Sequence, residues 1–92
     1  MKVRIKMTNE KYNGWTNYAT WRVALEWFDG DNEEYYGINA SDMADMLKDN
    51  VESYLEETST GVAFDYALAF LSDVNWYEIA QHIADDLNES EN

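Results

Sequence analysis

Four stretches of the chain repeat apolar residues at steps of three and four, the spacing that lines up side chains on one face of a helix. In the first, Tyr18, Trp21, Leu25 and Phe28 recur at that step, and Val23, Ala24 and Trp27 widen the stripe. A helix apolar over most of its circumference is expected to be central. The second carries Met43, Met46, Leu47, Val51, Tyr54 and Leu55. The third, over 62–71, offers Val62, Tyr66, Ala69 and Phe70 as inward residues, and the fourth offers Trp76, Ile79, Ala80, Ile83 and Leu87. Together they predict an all-α fold, a compact bundle of about four helices. Residues 1–6 alternate apolar and basic at the strand period, which predicts a short N-terminal strand or arm.

Polar residues punctuate the pattern. Asn13-Gly14 is a turn signal. Thr16 or Asn17 caps the first helix, with Trp15 as a hydrophobic staple. Asp29-Gly30-Asp31 ends that helix, with Gly30 suited to a left-handed cap. Residues 32–37 form a short helical turn carrying Tyr35 and Tyr36. The second helix starts at Asn39 or Ser41, runs to about Glu57 and breaks at 58–61. Asn75 and Glu78 have capping-box spacing for the fourth. Residues 88–92 are polar and expected to fray. The 92 residues predict a single domain, 1–92, with 1–12 as a basic arm and 88–92 as a tail.

Composition changes the picture mainly through charge. Nineteen acids against six bases give a formal charge of -13. Lys2, Arg4, Lys6, Lys11 and Arg22 all precede Val23, and Lys48 is the one base beyond it. Such a surface repels nucleic acid and anionic membranes and favours a cationic partner. The absence of cysteine excludes disulfides and thiolate metal sites, and a reducing cytosol is the expected compartment. No apolar run approaches a membrane span, and residues 1–7 lack the apolar core of a signal peptide.

On the second helix, Asp42, Asp45, Asp49, Glu52 and Glu56 step by three, four, three and four. At about 100° per residue they share an arc of about 80°, opposite the apolar face. A row of carboxylates facing solvent is expected there. Asp29, Asp31, Glu33 and Glu34 form a second cluster, and Asp85, Asp86, Glu89 and Glu91 a third. An acidic helix face is most often a solvated face, but ordinary faces mix signs and gain i,i+4 support. Halophilic adaptation would produce the same imbalance. Tyr35 and Tyr36 beside the second cluster are candidates for a protein interface, where tyrosine is enriched.

Other constellations are weaker. Residues 29–40 begin like a calcium loop, but Glu34 stands where glycine is needed and Ala40 where the bidentate glutamate belongs. His82 with Glu78 and Asp85 could share a face, yet a surface histidine in an acidic field is the plainer reading. Trp21 and Trp76 read as core. No phosphate loop, nucleophile elbow or zinc pattern is present, so no catalytic residue, metal or cofactor is expected.

The segment from Trp15 to Trp27, Trp-Thr-Asn-Tyr-Ala-Thr-Trp-Arg-Val-Ala-Leu-Glu-Trp, resembles the opening of a family of small phage and mobile-element proteins. That family reads Asn-Tyr-x-Thr-Trp, then an apolar stretch ending in Trp. Gly61-Val-Ala-Phe-Asp65 and Val74-Asn-Trp-Tyr-Glu-Ile-Ala80 are similar to its later segments, so the resemblance covers about residues 13–86. Ala19 departs from it, standing where the family usually has an acid. The resemblance implies a helical phage-encoded domain without enzyme activity. With the acidity, it leads to an expected function: inhibition of a host nucleic-acid-binding defence complex, of CRISPR or restriction type, by acidic mimicry of nucleic acid. The partner would be the basic groove of that complex. The alternative is an adaptor that binds a host protein through an aromatic patch of Tyr35, Tyr36, Trp27 and Phe28.

Overall fold

The computed structural model describes residues 12–30 and 32–90. The expected strand or arm over 1–6, the base Lys11, and the acids Asp31 and Glu91 lie outside the described residues. Four helices follow in order: α1 (Tyr18–Trp27), α2 (Ala40–Thr58), α3 (Gly61–Leu71) and α4 (Trp76–Ser90), with a one-turn 3₁₀ helix (Glu33–Tyr35) between α1 and α2. Among the described residues the only β pairing is the isolated bridge Tyr12–Trp15. The fold is an all-α bundle of four helices.

Local chemistry accounts for the helix starts. Asn13 (φ 50°) and Gly14 (φ 90°) both take left-handed backbone, the requirement of a type I′ turn. Tyr12 and Trp15 exchange backbone hydrogen bonds across it, at 2.6 and 2.8 Å. Asn17 Oδ1 accepts from the Thr20 amide at 2.8 Å, and Asn39 Oδ1 from the Asp42 amide at 2.8 Å. Asn75 Oδ1 accepts from the Glu78 amide at 3.0 Å. Each satisfies a donor that a helix start leaves open.

The capping box at α4 is only half formed, because its glutamate is used elsewhere. Glu78 accepts from the Thr16 amide at 3.0 Å, while the Asn75 amide donates to Thr20 Oγ1 at 2.9 Å. Thr20, fully buried, donates in turn to Asn17 Oδ1 at 2.7 Å, and Asn17 Nδ2 donates to the Asp73 carbonyl at 2.8 Å. The starts of α1 and α4 are therefore tied by one network of caps. It joins Asn17 and Thr20 of the Asn-Tyr-x-Thr-Trp segment to Asn75 and Glu78 of the Val-Asn-Trp-Tyr-Glu segment.

The core centres on α2 and α4, which pack against each other most extensively. Met43, Leu47 and Val51 of α2 meet Ile79, Ala80 and Ile83 of α4, joined by Ala19, Val23, Tyr35, Leu71 and Val74. Full burial of a Val, Leu, Ile or Met side chain contributes about 1.5–3 kcal/mol.

Several expectations about faces are corrected. α1 turns its small residues inward, Ala19, Thr20 and Val23, while Tyr18 and Leu25 of the expected stripe are exposed. Trp21 is half-buried outside the core and packs edge-on to Tyr12 at 5.1 Å; Trp76 packs against the core. On α2, Met46 and Tyr54 are exposed. On α3 the expected inward set Val62, Tyr66, Ala69 and Phe70 is exposed, while Leu71 is buried in the core and Phe64 and Leu68 are half-buried. Gly30 does not take left-handed backbone. Asn32 Nδ2 donates instead to the Phe28 and Gly30 carbonyls, at 3.0 and 3.2 Å. Trp15 stacks on His82 at 4.1 Å. α4 continues through Ser90, so Asn88 is helical where fraying was expected.

Candidate functional site

The acidic row of α2 lies where the helical wheel puts it. Asp42, Asp45, Asp49 and Glu56 are exposed and Glu52 is half-buried, while Met43, Leu47 and Val51 on the opposite side are buried. The core anchors the helix by its inner face and leaves the carboxylates pointing away. From Asp42 to Glu56 the row spans about 21 Å, at about 1.5 Å per residue. Asp42 also sits in the first turn, where negative charge suits the helix dipole, and it accepts from Asn39 Nδ2 at 3.2 Å.

Among the described residues none of these five acids is held in an ion pair. The described ion pair is Arg22–Glu26, one turn apart on α1 at 2.6 Å. The adjacent negative charge of Glu26, with a smaller contribution from Tyr18, raises the Arg22 pKa above its ordinary value. Lys48 shares α2 with the row and forms no ion pair there among the described residues.

The remaining candidates separate. Asp29 is exposed at the end of α1, and Glu33 and Glu34 are exposed on the 3₁₀ turn. Asp85 and Asp86 are exposed on α4. Tyr36 is exposed, but Tyr35 is not an interface residue: only 3% of it is accessible, and its hydroxyl accepts from Asn50 Nδ2 at 2.8 Å. Tyr35 ends the 3₁₀ turn and Tyr36 leaves it in extended backbone, so one tyrosine enters the core and the other faces solvent. Of the expected aromatic patch, Trp27 is exposed and edge-on to Tyr54 at 5.2 Å, whereas Phe28 packs against the core.

Glu78 and His82 do not form a site together, since Glu78 serves the Thr16 amide and His82 lies under Trp15. Among the described residues no three His, Asp or Glu side chains are placed to hold a metal ion. No helix of the described residues is long and apolar enough to cross a membrane.

Two features escaped the sequence reading. One is a cleft of about 250 Å³ between α1 and α4, where Trp15, Trp21, Phe28 and His82 meet Asp29 and Asp86. Nothing in the spacing of these residues marks it, because it depends on how the two helices cross. The other is the outward apolar face of α3. The signal for it was present: α3 is apolar all round but for Asp65, and such a helix in a small domain has more apolar surface than its neighbours can cover.

Fold and surface define a small all-α domain that presents carboxylates on the outer side of a core-anchored helix. The chain belongs to DUF7249, a family of unknown function, whose model matches residues 8–91. That match contains the whole segment on which the resemblance rests. No curated protein and no solved structure matches the chain.

Proposed function

We propose that this protein is a phage-encoded inhibitor that occupies the basic nucleic-acid groove of a host defence complex, of CRISPR or restriction type. The observation that carries the reading is the row Asp42, Asp45, Asp49, Glu52 and Glu56. These five acids lie on one outward face of α2 and none is ion-paired among the described residues. An ordinary solvated face would offset its charge with lysines at i,i+4. The row carries one negative charge per roughly 5 Å, against one per about 3.4 Å along a nucleic-acid strand. A groove lined with Arg and Lys can meet it with charge-assisted hydrogen bonds. Asp29, Glu33 and Glu34 add negative field, which speeds encounter with a cationic target and makes it sensitive to salt. The same field disfavours nucleic acid itself as the ligand.

The test is capture of proteins from host lysate by the wild-type chain and by Asp45→Lys/Asp49→Lys/Glu52→Lys. Wild-type should retain a nucleic-acid-binding protein at about 0.05 M salt, lose it near 0.5 M, and compete with DNA or RNA for it in a gel shift. The triple variant should bind at least about a hundredfold more weakly, since like charges placed together cost several kcal/mol, with its helical spectrum intact. Equal capture by both proteins would sink the reading.

A second reading, an adaptor that binds through exposed aromatics, draws support from the Trp27–Tyr54 pair and from Tyr36. Binding that survives high salt and fails with Trp27→Ala and Tyr36→Ala would favour it.

A further inference from the structure

We infer that the outward face of α3 is a self-association surface, the contact between two copies of this chain. The inference does not depend on the mimicry reading, because it concerns a different helix. On α3, Val62, Ala63, Tyr66, Ala69 and Phe70 share an arc of about 120°, at about 100° per residue. All five are exposed, Val62 at 62% and Tyr66 at 74%. On the opposite arc Leu71 is buried in the core, and Phe64 and Leu68 are half-buried. Folding therefore covers one side of this helix in part and leaves the other bare.

The bare side continues beyond α3. Tyr18 stands edge-on to Phe70 at 6.3 Å, and Tyr12 edge-on to Tyr18 at 5.2 Å. Each of these rings is about two-fifths exposed. With Tyr66, the four rings expose about as much as two whole aromatic side chains, roughly 400 Å² at 150–250 Å² per ring. Val62 and the alanines raise the patch toward 500 Å², the upper part of the range for a monomer's largest apolar patch. Two such patches laid together bury roughly 1,000 Å², about the least that a specific interface needs.

Charge selects a second copy as the occupant. Residues 58–72 contain one charged side chain, Asp65, whereas the chain as a whole carries -13. Over the rest of residues 23–92, where Lys48 is the one base, two copies repel each other. Within 23–92 this is the surface on which they can approach most closely, and Asp65 is the one charge it offers to a foreign protein.

The layout suits a two-fold axis. Tyr66 lies at the middle of the helix, and the apolar positions fall at three and four residues on either side of it. Antiparallel pairing about Tyr66 sets Val62 against Phe70 of the second copy and Ala63 against Ala69. Residue pairs of this reciprocal kind are what an isologous contact requires.

The test is sedimentation of the full chain over a range of concentrations at about 0.05 and 0.5 M salt. The expected result is a reversible species of twice the chain mass. Added salt should tighten it severalfold, because salt screens the repulsion between two acidic bodies. That is the opposite sign to capture of a cationic target. Tyr66→Asp should weaken the association about tenfold or more while leaving the helical spectrum unchanged. The natural chain has no cysteine, so Tyr66→Cys should form a disulfide-linked pair on mild oxidation far faster than Glu56→Cys. A monomer at high concentration in both salts overturns the inference, whether residues 1–11 or a foreign protein then covers α3. So does a dimer that added salt loosens, or one that Tyr66→Asp leaves as tight.

Discussion

The outer faces of α2 and α3 both look to solvent, yet they are opposites. On α2 the acids stand over a helix whose inner side is locked by Met43, Leu47 and Val51. On α3 the outward positions are Val62, Ala63, Tyr66, Ala69 and Phe70, and the inner side is only partly covered apart from Leu71. Water favours the first face and disfavours the second. The first face is costly only where its like charges crowd one another, so a cationic surface relieves it. The second is relieved by any apolar surface that removes it from water. One molecule thus carries two unspent surfaces that call for different chemistry, and salt should affect them with opposite sign.

The contrast supposes that α2 is a rigid bar fixed from behind. Leu47→Ala tests this and should give the largest effect on stability. Leu47 is fully buried between α2 and α4, so its loss removes transfer energy and leaves a cavity, costing about 3 kcal/mol or more. For a domain of this size that lowers the melting temperature by about 10–20 °C. A fall of only a degree or two in thermal denaturation would mean that α2 is loosely held, and its carboxylates would not keep a fixed row.

Next comes the anchor of α4, on which α2 rests. Thr20→Val keeps the volume but removes the hydroxyl that accepts from the Asn75 amide and donates to Asn17 Oδ1. A buried group left without its hydrogen bond costs about 1–3 kcal/mol, so a loss of about 2 kcal/mol is expected in urea titration. The variant should leave the acidic row's exposure unchanged. A neutral result would show that water replaces the hydroxyl and that the cap network does not hold α1 to α4.

Which parts of this were legible follows from what the residues had to contrast with. Asn13-Gly14, Asn17, Asn39 and Asn75 were readable because each does one local job that its own chemistry dictates: left-handed backbone, or accepting an open amide. The faces of α2 were readable because five acids marked the outside and left the inside by elimination. α1 and α3 lack that mark. With only Arg22 and Glu26 charged on α1 and Asp65 on α3, periodicity names several possible inner faces. The choice fell to packing, which on α1 put Ala19, Thr20 and Val23 inward and left the large rings outside. Tyr35 was misjudged because a turn of three residues has no period to read. The acidic row was visible in advance, whereas the α3 patch existed only once the helix had been turned the other way.

The smallest expected effect is also the sharpest on the α3 side. Val62 lies on the outward arc and is 62% exposed, so within one molecule Val62→Ser removes little burial. Its intrinsic cost is the modest difference in helix propensity, a few tenths of a kcal/mol at most. The free energy of unfolding should therefore stay within about 0.5 kcal/mol of wild type, provided it is measured at submicromolar protein. The condition matters because a dimer stabilises the folded chain by mass action, and the apparent stability then rises with concentration. At high concentration the same substitution should lower the apparent stability, since Val62 would meet Phe70 of the second copy. A loss of 2 kcal/mol or more in the dilute measurement would show that Val62 is buried within its own chain. The difference between the two outer faces would then reduce to one acidic face and one ordinary core.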